Sequence, residues 1–317
     1  MKRFAVLTLN WNGLDVLPGM IESLAHPVEK LGGELIVFDN GSKDGSERIA
    51  AETWGNKDWF SLIRAPENLG FAGGANEAIK DIDAEIIVLA NSDTVFLPGS
   101  LEVLLEAVEK YPDAGIIGPR LLWPDGTLQR SIRDFPFPGR LIAEHLPIIR
   151  KSSSSNLSHN TTRRVDWLVG AVMVFRKQLF MKAKGFDQDF FFYHEETELQ
   201  YRMFLMGHSS VFVPEAQVIH VEGASARKMF GRETYLEYIQ AKLKFLEKHG
   251  YTGSMALFRL FMGLLIGYRL TAGFFYPALS RRDIRYTASY CRRAFHELFM
   301  YRRLVKYAGC IMNILYR

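Results

Sequence analysis

A regular alternation of short apolar runs with amphipathic stretches in the first 110 residues constrains the fold of this chain more than any other feature. Four apolar runs, FAVLTL, ELIVFD, SLIRA and EIIVLA, are each followed by a stretch with helical spacing. In the last stretch, SLEVLLEAVEKY, four apolar residues fall on one helical face: Leu101, Leu104, Leu105 and Val108. Because parallel strands need long crossover connections, this alternation predicts an α/β fold with a mostly parallel central sheet and helices on both faces. Runs that are apolar throughout fit strands buried on both sides.

The pattern changes after about residue 115, where strands no longer alternate regularly with helices. AGIIGPRLLW, DWLVGAVMVF and SSVFVPEAQVIH each predict a further strand, and EETELQYRMFLMG predicts a short helix that ends at Gly207. The polar segment KSSSSNLSHNTTRR (151–164) predicts a loop.

Charge divides the chain into two parts. Residues 227–317 carry 17 Lys+Arg against 5 Asp+Glu, a balance of +12, whereas residues 1–226 carry 22 against 30, a balance of −8. This asymmetry predicts an α/β domain over 1–226 and a separate helical, basic region over 227–317.

The basic region contains a long apolar stretch, MALFRLFMGLLIGYRLTAGFFY (255–276), interrupted by Arg259 and Arg269. A membrane-spanning helix rarely carries such central charges, but basic, aromatic, amphipathic helices bind membrane interfaces. We therefore expect peripheral membrane contact; a helical subdomain packed on the protein is the alternative. Cys291 and Cys310 form no disulfide framework, and the N-terminus lacks the pattern of a signal peptide, so we expect a cytoplasmic protein on the inner face of the membrane.

Small and polar residues follow each of the four N-terminal strands, at the edge where α/β sheets bind ligands. Glycines allow backbone N–H groups to approach a phosphate, and the following helix directs its positive end there. Each segment alone is common in turns, but the four together predict a site for a polar, phosphate-bearing ligand. GFAGG does not follow the first strand, which disfavours a Rossmann dinucleotide site. The predicted site residues, strand by strand, are Asn10 and Asn12; Asp39, Asn40 and Ser42; Asn68, Gly70, Phe71, Gly73 and Asn76; and Asn91, Ser92 and Asp93.

Asp93 and His220 are candidate metal ligands. Asp93 ends an apolar strand, where a carboxylate can hold a hard divalent cation against phosphate oxygens. His220 ends the strand QVIH and can complete such a site. The alternatives are a turn or helix-cap Asp and a structural His.

Three carboxylates, Glu195, Glu196 and Glu198, lie at the start of the predicted helix, directly after the aromatic run FFFY. A helix N-terminus favours ionised acids, and the aromatic run can hold them rigidly. The alternative is that they are ordinary acids of a first helical turn.

Six stretches in order, VLTLNWNG, VFDNGSKDGS, NLGFAGGAN, VLANSDT, WLVGAVMVFRKQLFMKAKGFDQDFFFYHEETELQYR and VPEAQVIHVEGAS, resemble the family 2 glycosyltransferases of the GT-A fold, in particular rhamnosyltransferase-like bacterial members. The resemblance covers residues 3–226. It implies a divalent cation, Mg²⁺ or Mn²⁺, and a nucleotide-diphospho-sugar donor, dTDP-rhamnose or a UDP-sugar.

The resemblance also implies residue roles. Asp39 would bind the base beside Asn10 and Asn12, and residues 68–76 would line the nucleotide and diphosphate. Asn91-Ser92-Asp93 would stand at the Asp-x-Asp metal motif, with Asp93 as ligand and His220 as a further one. Glu196 takes the position of the general base, while Trp167 and Gly170 would border the acceptor pocket, with Tyr193 and Glu198 as further acceptor contacts.

Two residues depart from the family pattern. Asn91 replaces the first acid of the metal motif, and Glu stands at the base position where Asp is usual. The extra methylene displaces the carboxylate by over ~1 Å, so Glu195 remains a rival for the base.

The function expected from the resemblance is inverting, metal-dependent transfer of rhamnose or a similar hexose to a glycan or lipid-linked acceptor in bacterial cell-envelope polysaccharide synthesis. A catalytically silent nucleotide-sugar-binding partner subunit is the alternative. Nucleic-acid binding is disfavoured, because no aromatic-basic recognition motif is present and residues 1–226 are acidic.

Overall fold

The computed structural model describes residues 2–137, 158–190, 193–221 and 234–251, together with Leu260 and Leu264. It separates into two compact units. The described residues of the first unit are 2–135, 158–190, 193–221 and Thr234; those of the second are 136–137, 235–251, Leu260 and Leu264. Three features of the sequence lie outside the described residues: the predicted boundary at residue 226, the stretch 255–276 apart from Leu260 and Leu264, and the pair Phe191 and Phe192. The domain boundary therefore stays a prediction.

The first unit consists of twelve strands and six helices among its described residues. The strands are β1 Lys2–Asn10, β2 Glu34–Asp39, β3 Phe60–Arg64, β4 Ala84–Asn91, β5 Thr94–Phe96, β6 Ile117–Leu122, β7 Leu128–Gln129, β8 Ile132–Arg133, β9 Arg163–Val165, β10 Trp167–Leu168, β11 Val172–Arg176 and β12 Ser210–His220. The helices are α1 Leu17–Lys30, α2 Ser46–Trp54, α3 Gly70–Asp81, α4 Ser100–Lys110, α5 Lys177–Lys182 and α6 Glu195–Leu205.

The main sheet has the order β3-β2-β1-β4-β11-β6-β12-β5, with β7 paired to β6 and β9 to β12. Strands β3, β2, β1 and β4 are all parallel, while β11 runs antiparallel to both of its neighbours. The four predicted N-terminal strands are therefore confirmed, and the alternation of strands and helices gives the expected parallel half of the sheet.

Both faces of the sheet are buried. Along β1, Phe4 and Val6 belong to one apolar cluster, and Ala5 and Leu7 to another. Helices α1 and α4 pack into the first cluster and α3 into the second, so helices cover both faces as predicted. The predicted apolar face of α4, from Leu101 to Val108, is buried. Burial on both sides explains why these strands are apolar throughout.

The predicted single strand over DWLVGAVMVF is wrong, because the chain bends at Val169–Ala171. Before the bend, β10 pairs with β8 in a separate two-stranded sheet; after it, β11 joins β4 and β6. The apolar pattern is continuous because both pieces are buried, and only the glycine at position 170 marks the bend.

The second unit contains helix α7, which spans Thr234–Lys248 and starts at the junction between the units. Gly250, with φ +79°, follows the helix, and Tyr251 N–H donates to the Leu246 carbonyl at 2.8 Å. Within the described part of the chain, no helix has the length and apolarity needed to cross a membrane.

Candidate active site

The carboxyl ends of four parallel strands meet at one edge of the main sheet. Asn10, the last residue of β1, is in register with Asp39, the last residue of β2, and Leu9 is in register with Asn91 at the end of β4. The chain adds β2 and β3 on one side of β1 and then returns to add β4 on the other. This switch in strand order opens the crevice in which α/β proteins bind ligands.

Asn10 is the centre of a buried polar network at this edge. Its Nδ2 donates to Asp39 Oδ1 at 2.9 Å, Ser42 Oγ at 3.1 Å and Ser46 Oγ at 2.8 Å. Ser42 N–H donates to Asp39 Oδ2 at 3.0 Å, so both oxygens of this carboxylate are used within the network. The side chain of Asn12, at φ +52°, accepts from Lys43 N–H at 2.8 Å. These hydrogen bonds therefore hold the loops after β1 and β2 next to each other, so that they form one surface.

The loop after β3 is joined to the same surface through Asn40. Asn40 Nδ2 donates to Asn68 Oδ1 at 3.0 Å and to the Gly70 carbonyl at 3.1 Å, while its Oδ1 accepts from Leu69 N–H at 2.9 Å. Gly70 starts α3 at φ +71°, a conformation that favours glycine, and Gly73 lies in the first turn. The structure thus brings the predicted residues of the three loops to one edge, with the exception of Phe71 and Asn76.

Asn76 and Phe71, also predicted for the nucleotide, contact a different segment. Asn76 Nδ2 donates to the Phe186 carbonyl at 2.8 Å, and its Oδ1 accepts from Phe186 N–H at 2.8 Å. The ring of Phe71 packs edge-on against that of Phe186, with centroids 5.5 Å apart. Both polar groups of Asn76 are thereby engaged by backbone, which favours a structural role over ligand contact.

The end of β4 links the nucleotide edge to the predicted acceptor residues. Asn91 N–H donates to the Ala171 carbonyl at 2.9 Å, and a Cβ added to neighbouring Gly170 would lie 3.0 Å from Glu196 Cγ. Ser92 is buried, and its Oγ would be 3.6 Å from a Cβ at Gly13. Glu196 therefore lies against the bend that follows β10, close to the strand end from which Asp93 extends.

Helix α6 begins with the three predicted acids, preceded by Tyr193 and His194 at φ +67° and +65°. Two consecutive non-glycine residues in the left-handed region are strained, and such strain is found at functional sites. The His194 ring lies 6.1 Å from the ring of Trp167, between centroids. The backbone turn thus presents the acids next to the segment that carries Trp167 and Gly170.

Burial, not the helix N-terminus, decides the acidity of the first two carboxyl groups. Burial raises the pKa of Glu196 to about 7, against hydrogen bonds from the backbone of residues 196, 197 and 194 that lower it. Burial and the neighbouring Glu196 carboxylate raise the pKa of Glu195 well above its usual range. The backbone N–H groups at the helix start favour the ionised forms, as expected, but loss of water raises the pKa of both carboxyl groups by more.

Neither carboxyl group is fully satisfied. Glu195 Oε2 and Glu196 Oε2 are inaccessible to solvent and accept no hydrogen bond among the described residues. Buried polar atoms without partners are uncommon and costly, which makes them candidates for contact with a substrate.

Glu198, predicted to contact the acceptor, is completely buried instead. Arg202 Nε donates to its Oε1 at 2.9 Å and its Oε2 at 2.8 Å. This pairing favours a structural role. Sequence reasoning missed Arg202, although its position four residues after Glu198 on a helix is the spacing of an ion pair.

Gln200 is a second residue that sequence reasoning missed. Its Oε1 accepts from Leu168 N–H at 2.9 Å and Ser210 Oγ at 2.8 Å, and its Nε2 donates to the Leu168 carbonyl at 2.8 Å. Gln200 therefore fixes β10 to α6. No sequence signal marks it, since a buried Gln at a helical position resembles any polar helix residue.

Asp93 and His220 come together at the end of β4. His220 Nε2 lies 3.4 Å from Asp93 Oδ1, and both side chains are nearly buried. His220 Nδ1 is 2.9 Å from Gln129 Oε1, and in the neutral tautomer with the proton on Nδ1 this nitrogen donates to Gln129. The Nε2 lone pair then faces a carboxylate oxygen, and two acceptors repel unless a cation or proton lies between them.

These two side chains could hold a divalent cation, because a hydrogen-bonded imidazole and a carboxylate are a common ligand set. Within the described ranges no three or more His, Cys, Asp or Glu residues cluster around a common point. A cation here would need further oxygens from water or from a bound diphosphate.

The sequence model of Glycosyl transferase family 2 matches residues 5–182, more than half of the chain. The chain belongs to this family.

Relatives of this family 2 member include two rhamnosyltransferases. The chain is 30% identical over 204 residues to the N-acetylglucosaminyl-diphospho-decaprenol L-rhamnosyltransferase of Mycobacterium tuberculosis, covering 59% of this chain and 66% of the relative. It is 31% identical over 102 residues to the rhamnosyltransferase WbbL of Escherichia coli, covering 32% of this chain and 39% of the relative. Each match spans less than two thirds of the relative's own length.

The solved structure of GalNAc-T7 with UDP, GalNAc and Mn²⁺ shares the fold, with a TM-score of 0.54 at 14% identity. The alignment covers 69% of this chain and 44% of that one. The predicted GT-A fold is confirmed.

Proposed function

We propose that the chain is an inverting, metal-dependent glycosyltransferase. It moves rhamnose or a similar hexose from a nucleotide-diphospho-sugar to a glycan or lipid-linked acceptor in cell-envelope polysaccharide synthesis. Its family membership and its rhamnosyltransferase relatives support the reaction class and the acceptor. The observation that carries the proposal is the packing of Glu196 against Gly170, beside the strand end that leads to Asp93.

The nucleotide is proposed to bind at the carboxyl edge of β1, β2 and β4. Asp39, whose carboxylate is fixed by Asn10 and Ser42, is oriented before the ligand arrives, which lowers the entropic cost of binding. The start of α3 at Gly70 supplies backbone N–H groups and the positive end of a helix for the diphosphate.

Asp93 and His220 would hold the divalent cation, Mg²⁺ or Mn²⁺, and Gln129 would orient the imidazole. Such a cation, when bound, offsets the negative charge that develops on the departing nucleotide diphosphate. Asn91 in place of an acid leaves Asp93 as the single carboxylate of the NSD stretch.

Glu196 is proposed to take the proton from the acceptor hydroxyl as that oxygen attacks the anomeric carbon. A base is most effective when its pKa lies near the working pH, and burial brings the pKa of Glu196 to about 7. Burial and the Glu196 carboxylate also raise the pKa of Glu195, so the two neighbours oppose ionising together. Glu196 is proposed over Glu195 as the base because its side chain packs against Gly170, in the segment proposed to border the acceptor.

Transfer by the purified full chain tests the proposal. Release of nucleoside diphosphate from dTDP-rhamnose and UDP-sugars is measured with Mn²⁺ or Mg²⁺ and a synthetic polyprenyl-diphospho-GlcNAc acceptor, and the product is identified by mass spectrometry. We expect acceptor-dependent release that Glu196→Gln abolishes without changing nucleotide affinity.

A silent nucleotide-sugar-binding subunit is the competing function. It predicts that a donor raises the thermal stability of the protein by mass action while no sugar is transferred under any of these conditions.

A further inference from the structure

The ion pair between Glu198 and Arg202 on α6 differs from the exposed pairs elsewhere in the described chain, because the Glu198 side chain is wholly buried. Arg202 Nη2 lies 2.7 Å from Glu198 Oε2, in addition to the two bonds from Nε. A carboxylate without solvent is costly unless its partner is fixed in good geometry. The pair therefore holds one guanidinium orientation.

That orientation directs the rest of the guanidinium at the backbone turn that follows α5. Arg202 Nη1 donates to the Ala183 carbonyl, and Nη2 donates to the Gly185 carbonyl at 2.6 Å. Lys184 and Gly185, at φ +66° and +65°, form this turn. The planar fork of arginine can satisfy a carboxylate and two carbonyls at once, which a lysine ammonium cannot do with the same geometry.

The far side of the same turn is bound to α3. Asn76 forms two hydrogen bonds of 2.8 Å with the backbone of Phe186, the residue after the turn. A Cβ on Gly185 would lie 2.5 Å from Asn76 Oδ1, so the turn and the amide are in close contact. Helix α3 begins at the proposed diphosphate site, and α6 begins at the proposed base.

We propose that Glu198, Arg202 and Asn76 are positioning residues that clamp the 183–186 turn from both sides and so fix α6 relative to α3. The clamp sets the distance between the base on α6 and the donor on α3, although none of the three side chains touches the reacting atoms. This inference rests on the proposed function. Its reason is mechanical: a misplacement of about 1 Å between reacting groups can cost about 100-fold in rate.

A double-mutant cycle tests the clamp. Glu198→Gln breaks it from the α6 side and Asn76→Ala from the α3 side, and kcat, KM for the donor and the Kd of the free nucleoside diphosphate are measured for each. We expect each single variant to lose about 10–100-fold in kcat while the Kd changes by less than about threefold. Both changes release the same turn, so their effects should not multiply. We expect the kcat of the double variant to lie within about threefold of the kcat of the slower single variant.

The exposed pair Arg48–Glu52 on α2, also four residues apart, supplies the control. Glu52→Gln should leave kcat and Kd at wild-type values. Multiplicative losses in the double variant, or a rise in Kd equal to the fall in kcat, overturn the clamp. If Glu198→Gln does not fold, Arg202→Lys keeps the charge but loses the fork, and the same non-additivity with Asn76→Ala is expected.

Hydrogen exchange separates failure of the clamp from failure of the proposed function. Asn76→Ala should speed amide exchange in the first turn of α6, and Arg202→Lys should speed it in α3, whether or not sugar is transferred. Changes confined to the mutated helix reject the clamp. If the wild type transfers no sugar but each substitution still changes exchange in the other helix, the proposed function is rejected and the clamp is kept.

Discussion

At the scale of single residues, the adjacent carboxyl groups of Glu195 and Glu196 predict a pH dependence of activity. We expect kcat/KM to rise with pH and level off above an apparent pKa of about 7, because Glu196 must be ionised to accept a proton. Glu195→Gln cannot ionise at position 195, so its profile should show a single titration step, that of Glu196. A pH–rate profile that is flat between about pH 5 and 8 contradicts the assignment of the base.

The same raised pKa affects stability, with a sign that can be checked without any activity assay. A carboxyl whose pKa is higher in the folded than in the unfolded protein favours folding while protonated, and this contribution is lost as pH rises through about 7. Glu196→Gln cannot ionise. We therefore expect its melting temperature to match the wild type near about pH 5 and to exceed it near about pH 8. An equal difference at both pH values would show that Glu196 is not perturbed.

Gln129 is predicted to act on metal affinity through His220. Removing the group that holds Nδ1–H frees the imidazole to rotate, so Gln129→Ala should weaken Mn²⁺ binding by about 10–100-fold. Mn²⁺ affinity is measured by electron paramagnetic resonance or calorimetry. Thr127→Ala, at an exposed position close to Gln129 in sequence, is the control and should bind Mn²⁺ as the wild type does. Equal affinities for Gln129→Ala and Thr127→Ala would show that His220 does not bind the ion in this way.

At the scale of elements, the bend between β10 and β11 is predicted to set the position of Glu196, the proposed base. An alanine at position 170 would place its Cβ 3.0 Å from Glu196 Cγ and 3.1 Å from its Cβ, so the base must move by a few tenths of an ångström. We expect Gly170→Ala to lose about tenfold in kcat with nucleotide affinity unchanged.

The matched control is Gly19→Ala on α1, where an added Cβ meets only Val95 Cγ2, at 4.0 Å. This variant should retain wild-type kcat and gain slightly in stability, as alanine does in a helix. If Gly170→Ala is as active as Gly19→Ala, the bend does not position Glu196.

The sequence predicts the secondary-structure elements and the residues at the strand ends well. It does not predict which polar side chains form hydrogen bonds with other protein groups once those elements pack together. Periodicity finds β1 to β4 because each strand is apolar and each following helix amphipathic, and the parallel arrangement then brings Asn10, Asp39 and Asn91 to one edge. Asn76 and Glu198 are assigned to ligands from motif position alone. Phe186, the partner of Asn76, comes from a distant segment, and no local pattern encodes that contact. Arg202 lies four residues after Glu198, so the spacing indicates the ion pair but not that the carboxylate is wholly buried.

At the scale of the whole molecule, a basic C-terminal region follows an acidic one. This charge distribution predicts that the protein binds an anionic membrane surface, where a lipid-linked acceptor would lie. Residues 252–317 carry 11 Lys+Arg against 2 Asp+Glu, with many aromatic residues between them. Each cation near an anionic membrane surface contributes about 1 kcal/mol of attraction, so even a few such contacts hold a protein at the surface. A lipid-linked acceptor would be reached from that position.

We expect the full chain to sediment with anionic liposomes, to stay in solution with zwitterionic ones, and to be released from the former by high salt. A chain that ends after Tyr251 keeps the hydrogen bond from Tyr251 to Leu246 that closes α7, and it should remain in solution with both. Equal sedimentation of the two chains would mean that the basic region does not bind the membrane. Because donor binding is proposed for residues 1–226 alone, the shortened chain should bind nucleoside diphosphate as the full chain does, whereas transfer to an acceptor embedded in liposomes should fall.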